Sequence, residues 1–487
     1  MASTSEPPSQ AFVLPDPSVF EAITPGQYVS FTTPNPLKNH RQLLHFPILR
    51  VAVLDSPLAK DDNESPSIAA MLVPKNRETD WNFCTESGHL QILFNFPNVS
   101  RLILIGNMPP HKGPSVYKLR PIDPVEQEKL ETDLKPLLMP LHPKVSSDHN
   151  SLPETPFLTY EDDMAFAVTV AKLSGPIVGE FLVEDVELVG GNDRNKQLRR
   201  RLRFKRMPRV VQSQALLNPI IPYDEGTTQT DLESLRKIEN SKFVADPSIL
   251  VHPHLTFMIA GLSFTVSNVD PRIRQGFAPR ALCLGVGGGV LLSFLATNLW
   301  FEVTGVEADP IVLNAATQHF GLNESASIRL IVGDAIESIQ NLAPKKIQQE
   351  SDESEVGDDN VPDAKFDAVL VDLDSSDAKN GFSAPPPEFV KKPVFETLRS
   401  LLDDQGVLII NVVSPNDLFY STLVKELKEI FHKVYYIDVG PGVQGNKVVM
   451  AILSPTFYDG NDSINEFLEK LESLIPEIDL ENIVEIL

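Results

Sequence analysis

Apolar and polar positions change rhythm part-way along the chain. From residue 281 onward, short apolar runs alternate with segments whose apolar residues recur every three or four positions, the pattern of an α/β protein with a parallel sheet covered on both faces. Seven strands are predicted, at 281–286, 301–306, 328–332, 366–372, 406–413, 433–439 and 447–453, with helices at 291–299, 310–320, 388–402 and 417–431. Pro310 suits a first helical turn, where its missing N–H leaves no bond unmade. Only Gly440 to Asn446 join the last two strands, too few residues for a crossover helix, so that pair must be antiparallel.

The first half reads as a smaller, loop-rich mixed α/β domain. Apolar runs at 48–54, 68–73 and 102–105 are bounded by Pro, Asp, Ser or Asn, and prolines crowd between Pro109 and Pro143, where they would interrupt helices and central strands. Residues 178–206 predict a hairpin with an apolar-rich arm 178–189, the turn Gly190-Gly191-Asn192-Asp193, and a second arm 198–206. That arm is very basic: nine of the sixteen residues 194–209 are Lys or Arg. Leu198, Leu202 and Phe204 fall on one face and Arg199, Arg201, Arg203 and Lys205 on the other, so a half-buried strand with a solvated face is expected, with a nucleic-acid groove as the alternative.

Polar residues 218–248 mark a boundary, giving domains at 1–225 and 245–487 with a linker at 226–244. Residues 348–363 carry seven carboxylates and almost nothing apolar, as a solvated acidic insertion would; a regulatory or partner-binding segment is the alternative.

Composition narrows the function classes. With 487 residues, 42% of them hydrophobic, the chain can bury two or three cores. A formal charge of −24 argues against wholesale attraction to nucleic acid or anionic membrane. The two cysteines, Cys84 and Cys283, provide neither a disulfide framework nor a Cys-rich zinc site, so no metal is expected and a reducing compartment is. Residues 1–25 contain Glu6, Asp16 and Glu21 and no Lys or Arg, unlike a secretory or transit leader, which makes the cytoplasm the expected location. The apolar stretch 281–296 is shorter than the roughly 20 residues a bilayer needs, and its four glycines read instead as strand, turn and helix.

Candidate chemistry gathers at the ends of the predicted strands. Leu284-Gly285-Val286-Gly287-Gly288-Gly289 follows the first strand, where glycines permit a tight turn and close backbone approach to a ligand. Glu307 ends the second strand, 22 residues after Gly285, where a carboxylate can accept from both hydroxyls of a ribose. Gly333-Asp334-Ala335 ends the third, placing an Asp to accept from an exocyclic adenine amine. Each piece alone has a structural reading, as turn glycines or as helix caps at Glu307 and Asp334. Together, at successive strand ends, Gly285, Gly287, Gly289, Glu307, Asp334 and Ala335 are the expected nucleoside-cofactor site.

The glycines read G-x-G-G-G-V rather than G-x-G-x-x-G. With Gly333-Asp334-Ala335 and the antiparallel final strand, the sequence resembles the seven-strand, Rossmann-like S-adenosylmethionine-dependent methyltransferases, including their spermidine-synthase-like branch, with Cys283 where an acid usually stands. The fourth strand runs into Val371-Asp372-Leu373-Asp374-Ser375-Ser376-Asp377 and then Gly381-Phe382-Ser383-Ala384-Pro385-Pro386-Pro387. These segments, with Met258-Ile259-Ala260-Gly261-Leu262, Val306-Glu307-Ala308-Asp309-Pro310 and Ala316-Thr317-Gln318-His319-Phe320-Gly321, resemble the carboxyl-terminal domain of the dual elongation factor 1-alpha lysine and N-terminal methyltransferase family, also called methyltransferase-like protein 13. Leu72 to Trp81 and Val210-Val211-Gln212-Ser213 resemble the segment preceding that domain, so the likeness spans roughly residues 45–455.

The resemblance implies S-adenosyl-L-methionine as cofactor and a protein substrate, with methyl transfer to the α-amine at the amino terminus of elongation factor 1-alpha. It omits the family's amino-terminal lysine methyltransferase, for which this sequence has no second glycine-turn unit. Catalytic candidates are Asp372 and Asp374, which strand alternation places on one face where they can orient the amine and accept its proton. Asn446 matches a family asparagine suited to holding substrate backbone. His254 reads as a surface loop histidine, with the site entrance as its alternative. A spermidine-synthase-like aminopropyltransferase, whose turn reads Gly-Gly-Gly-Asp-Gly-Gly where this chain has Val290-Leu291 after its glycines, and a catalytically silent scaffold are the competing functions.

Overall fold

All seven predicted strands form. They run Arg280–Leu284, Glu302–Glu307, Ile328–Val332, Phe366–Val371, Leu402–Val413, Lys433–Asp438 and Asn446–Ile452, and are called the first to seventh strands below. The computed structural model describes residues 15–36, 47–58, 66–108, 116–118, 124–144, 155–160, 162–189, 196–221, 231–344, 365–377, 381–440, 445–454 and 465–487. The predicted turn 190–193 and the acidic insertion 348–363 lie outside these described residues.

The first five strands pair in parallel, and the seventh lies antiparallel between the fifth and the sixth. Among the described residues, the expected count of seven is corrected to eight. Val484–Glu485 adds an antiparallel edge strand against the sixth, and two residues are too short a run to leave a period in the sequence. Spatial order is third, second, first, fourth, fifth, seventh, sixth, eighth.

Side-chain alternation feeds two cores. Ala281 and Cys283 point to the face covered by Pro253–Ala260 and Val290–Asn298, whereas Leu282 and Leu284 point to the face covered by Lys392–Leu401 and Asp417–Ile430. The 281–296 stretch therefore resolves into strand, turn and helix. Among the described residues no helix is long and apolar enough to cross a membrane, and no group of three or more His, Cys, Asp or Glu is placed to hold a metal.

Two further sheets precede this one. A five-stranded mixed sheet, ordered Tyr28–Pro34, Ile48–Asp55, Arg101–Asn107, Ile68–Leu72, Phe157–Leu158, is covered by Glu86–Leu93 on one face and Pro124–Leu138 on the other. A six-stranded antiparallel sheet runs Val116–Lys118, Met164–Gly175, Gly179–Val189, Lys196–Phe204, Ser213–Ile220, Lys242–Asp246. Its last strand and the helix Leu232–Lys237 draw on residues of the expected linker 226–244.

The basic arm departs from expectation. Arg203, expected on the solvated face, is only 6% exposed, Arg199, Arg201 and Lys205 of that face are half-buried, and Arg200 on the other face is only 7% exposed. Arg200 Nε donates to Asp185 Oδ1 at 2.7 Å and Arg203 Nη2 to Glu184 Oε2 at 2.9 Å, because the opposite arm of the hairpin supplies carboxylates in register. Buried arginines need such partners, and here the hairpin neutralises itself across its two arms.

Candidate active site

The strand ends form one hydrogen-bonded row. Gly285 N–H donates to Val306 O, Gly333 N–H to Glu307 O and Asp372 N–H to Leu284 O, each at 2.9 Å. This row crosses the point where strand order reverses around the first strand, the crevice in which open parallel sheets hold ligands. The antiparallel seventh strand begins at this end of the sheet, with Asn446 opposite Val413. Predicted residues from five segments are thereby brought to one rim.

Gly285 has φ +90°, and a Cβ there would lie 2.2 Å from Asp372 O, so backbone conformation and close strand approach both require glycine. Gly287, φ +54°, lies beneath Ser213 at the start of a six-stranded-sheet strand. Gly289 is buried against Leu322, where a Cβ would come within 2.7 Å, so its place is in packing the helix that follows.

Glu307 supports the turn from below. Its Oε2 accepts from Val286 N–H and Gly287 N–H at 3.2 Å each, and its Oε1 from Asp309 N–H at 3.0 Å. A carboxylate offers about four acceptor positions, so one remains, on Oε1, for a ribose hydroxyl. Burial pushes its pKa up against the lowering effect of those three N–H groups. Asp334 is exposed and caps the helix that begins at Ala335, accepting from Glu337 N–H at 3.0 Å. The row, the glycine cradle and these acids fit a nucleoside laid along the strand ends.

The fourth strand stops at Val371, yet Asp372 and Asp374 remain near enough for the charge of one to help raise the pKa of the other. Asp372 is held by both oxygens: His254 Nε2 lies 3.0 Å from Oδ2, and Asn411 Nδ2 donates to Oδ1 at 2.9 Å. Burial would raise the Asp372 pKa, but the neighbouring His254 and these hydrogen bonds hold it down at about 2. His254 is thus no surface loop residue. It occupies the first turn of Pro253–Ala260, edge-on to half-buried His252, whose pKa desolvation and His254 press down to about 3.

Asp374 has a different setting. Burial pushes its carboxyl up, opposed by Arg206, Gln212 and Ser376. Arg206 Nη2 lies 3.4 Å from Asp374 Oδ1, whereas Gln212 and Ser376 stand alongside without hydrogen bonds of ordinary geometry. Among the described residues, Asp374 Oδ2, Ser376 Oγ, Asn411 Oδ1 and Asn446 Oδ1 are buried without a partner, a concentration of unmet polar atoms that marks a ligand site.

Sequence reasoning thus found the rim but missed Asn411, Arg206 and Gln212 and misplaced His254. Asn411 had a signal, as the lone polar residue in the apolar run 407–413. Arg206 and Gln212 lie on the connection between two strands of the six-stranded sheet, and nothing local couples them to Asp374.

Comparison with known proteins agrees with the resemblance seen in the motifs. No family model matches the chain. It is 28% identical over 411 residues to the human "eEF1A lysine and N-terminal methyltransferase", covering 83% of this chain and 53% of that protein. A polyamine aminopropyltransferase of Vibrio vulnificus is 28% identical over 234 residues, covering 47% of this chain and 66% of that one. The crystal structure of human methyltransferase-like protein 13 in complex with SAH overlaps 46% of this chain and 90% of its own, with 25% identity and a TM-score of 0.35. The chain spans about half the length of the curated methyltransferase relative.

Proposed function

We propose that the chain is an S-adenosylmethionine-dependent protein methyltransferase acting on the α-amine at the amino terminus of elongation factor 1-alpha. The observation that carries this reading is the pair Asp372 and Asp374 set beside the glycine turn and Glu307 on one row of strand ends. The curated relatives named for eEF1A methylation support it.

Gly285 and Gly287 border the cofactor, Glu307 offers its remaining acceptor position to the ribose, and Asp334 and Ala335 face the adenine end. When bound, S-adenosylmethionine supplies a methyl group on an electrophilic sulfonium. Asp372, clamped and charged, attracts and orients the amine. Asp374, whose pKa lies above its ordinary value, accepts the proton the amine must lose before its lone pair can attack. Asn446 holds substrate backbone. Aminopropyl transfer is disfavoured because Val290 and Leu291, rather than an acid, follow the glycines.

Mass spectrometry of amino-terminal peptides of elongation factor 1-alpha, after incubation with the protein and S-adenosylmethionine, is expected to show added methyl groups on the α-amine. An unmodified α-amine, with S-adenosylhomocysteine still binding, would refute the assigned substrate. Decarboxylated S-adenosylmethionine with putrescine is expected to give no product.

A further inference from the structure

Asn411 lies two residues from the carboxyl end of the fifth strand and is 6% exposed. The fourth and fifth strands pair in parallel with Val371 beside Ile410, so Asp372 comes beside Asn411. A carboxylate only accepts, so the Asn411 amide must turn its NH2 toward Asp372 and its Oδ1 away. The same logic gives the His254 ring its proton on Nε2, facing Asp372. A chain of hydrogen bonds running His254, Asp372, Asn411 therefore sets which way the amide oxygen faces, and that oxygen is buried without a partner among the described residues.

Asn446 repeats the pattern. On the neighbouring seventh strand it lies opposite Val413, and Asn411 lies opposite Val448, so the two asparagines share a sheet face as diagonal neighbours, two register positions apart. Asn446 is also 6% exposed, and its Oδ1 is unpartnered as well. Two orphaned carbonyl oxygens beside a charged carboxylate form a site rich in acceptors. Buried acceptors left unmet are costly, so the group that fits brings several N–H donors and positive charge.

We propose that Asn411 Oδ1 and Asn446 Oδ1 are an acceptor pair that receives the N–H groups of a free amino terminus, and that His254 is the positioning residue that fixes this pair through Asp372. The inference rests on the methyl-transfer reading only in taking the occupant to be the amine substrate. It assigns His254 no proton transfer: the ring is needed as a donor, and another donor of similar reach can replace it.

The test is calorimetry on the full chain in the presence and absence of S-adenosylhomocysteine. The probes are a synthetic octapeptide matching the amino terminus of elongation factor 1-alpha and its N-acetylated copy. Wild type is expected to prefer the free amine at least about 10-fold, the effect of a hydrogen bond to a charged group. Asn411→Ala and His254→Phe should erase most of that preference while leaving S-adenosylhomocysteine affinity within about twofold. His254→Gln, which keeps a donor, should restore the preference; a merely structural histidine would show no such rescue. Asn446→Ala reads the same subsite from a second strand should Asn411→Ala fail to fold. Equal binding of free and acetylated peptide by wild type, or a preference surviving in folded Asn411→Ala and Asn446→Ala, overturns the proposal. Absence of S-adenosylhomocysteine binding by wild type would overturn the methyl-transfer reading instead, because the peptide preference is measured without the cofactor product too.

Discussion

Glu307 shows how one carboxylate can serve structure and ligand together. Because it accepts three backbone N–H groups around the glycine turn, Glu307→Ala should lower stability by about 2–3 kcal/mol in urea denaturation as well as weaken S-adenosylhomocysteine binding. Glu307→Gln, which keeps a single acceptor oxygen, should lose less stability. Asp80 makes a pH-dependent prediction. Burial would raise its pKa, but Arg203 and Arg77 hold it at about 2 against an ordinary 3.8. Its contribution, of order 2 kcal/mol, is therefore complete above about pH 4 and lost as pH falls through about 2. Acid titration of unfolding free energy should show Asp80→Asn converging on wild type at the acid end and lying below it near neutrality. At this scale the sequence exposed Gly285, Glu307 and Asp372, whose residue type and strand-end position carry the signal. It hid His254, because the carboxylate that gives this histidine its role lies 118 positions away.

The elements were legible wherever periodicity had length to express itself. The helix Pro310–Phe320 and the strand Ile328–Val332 match their predicted bounds, while the fifth strand begins at Leu402, four residues before the predicted Gly406. Asp403, Asp404 and Gln405 gave that stretch a loop-like polarity, yet Leu402 pairs with Phe366 and is fully buried. The basic strand teaches the converse. Its alternation was visible, but whether the charged face met water or carboxylates depended on the facing arm. Arg203→Ala leaves Glu184 buried without its guanidinium and should cost about 3 kcal/mol in denaturant unfolding, whereas the apolar, unbranched Arg203→Met paired with Glu184→Gln should recover much of it.

Across the whole molecule, the six-stranded sheet and the layer that covers the eight-stranded sheet share one core. Phe181, Leu202 and Phe204 from the former pack with Val312, Ala315 and Phe320 of the helix Pro310–Phe320. Polar ties reinforce it. Asp309 Oδ2 accepts from Ile177 N–H and Val178 N–H at 2.9 Å each while Oδ1 caps its own helix, and Arg200 Nη1 donates to His319 O at 2.6 Å. Asp309→Ala should speed hydrogen exchange at Ile177 and Val178 and lower the melting temperature. Residues 245–487 produced alone should melt well below the full chain or aggregate, because that core would be cut open. Sequence reading gave no hint of this seam, since each side is an ordinary apolar face until the other is known.

The shared seam also constrains how such a chain can change over time. A larger side chain at Phe320 or Val312 must be answered by a smaller one at Phe181 or Phe204, so the two halves can drift only in concert. Neither could be grafted onto an unrelated companion without carrying its counterpart along.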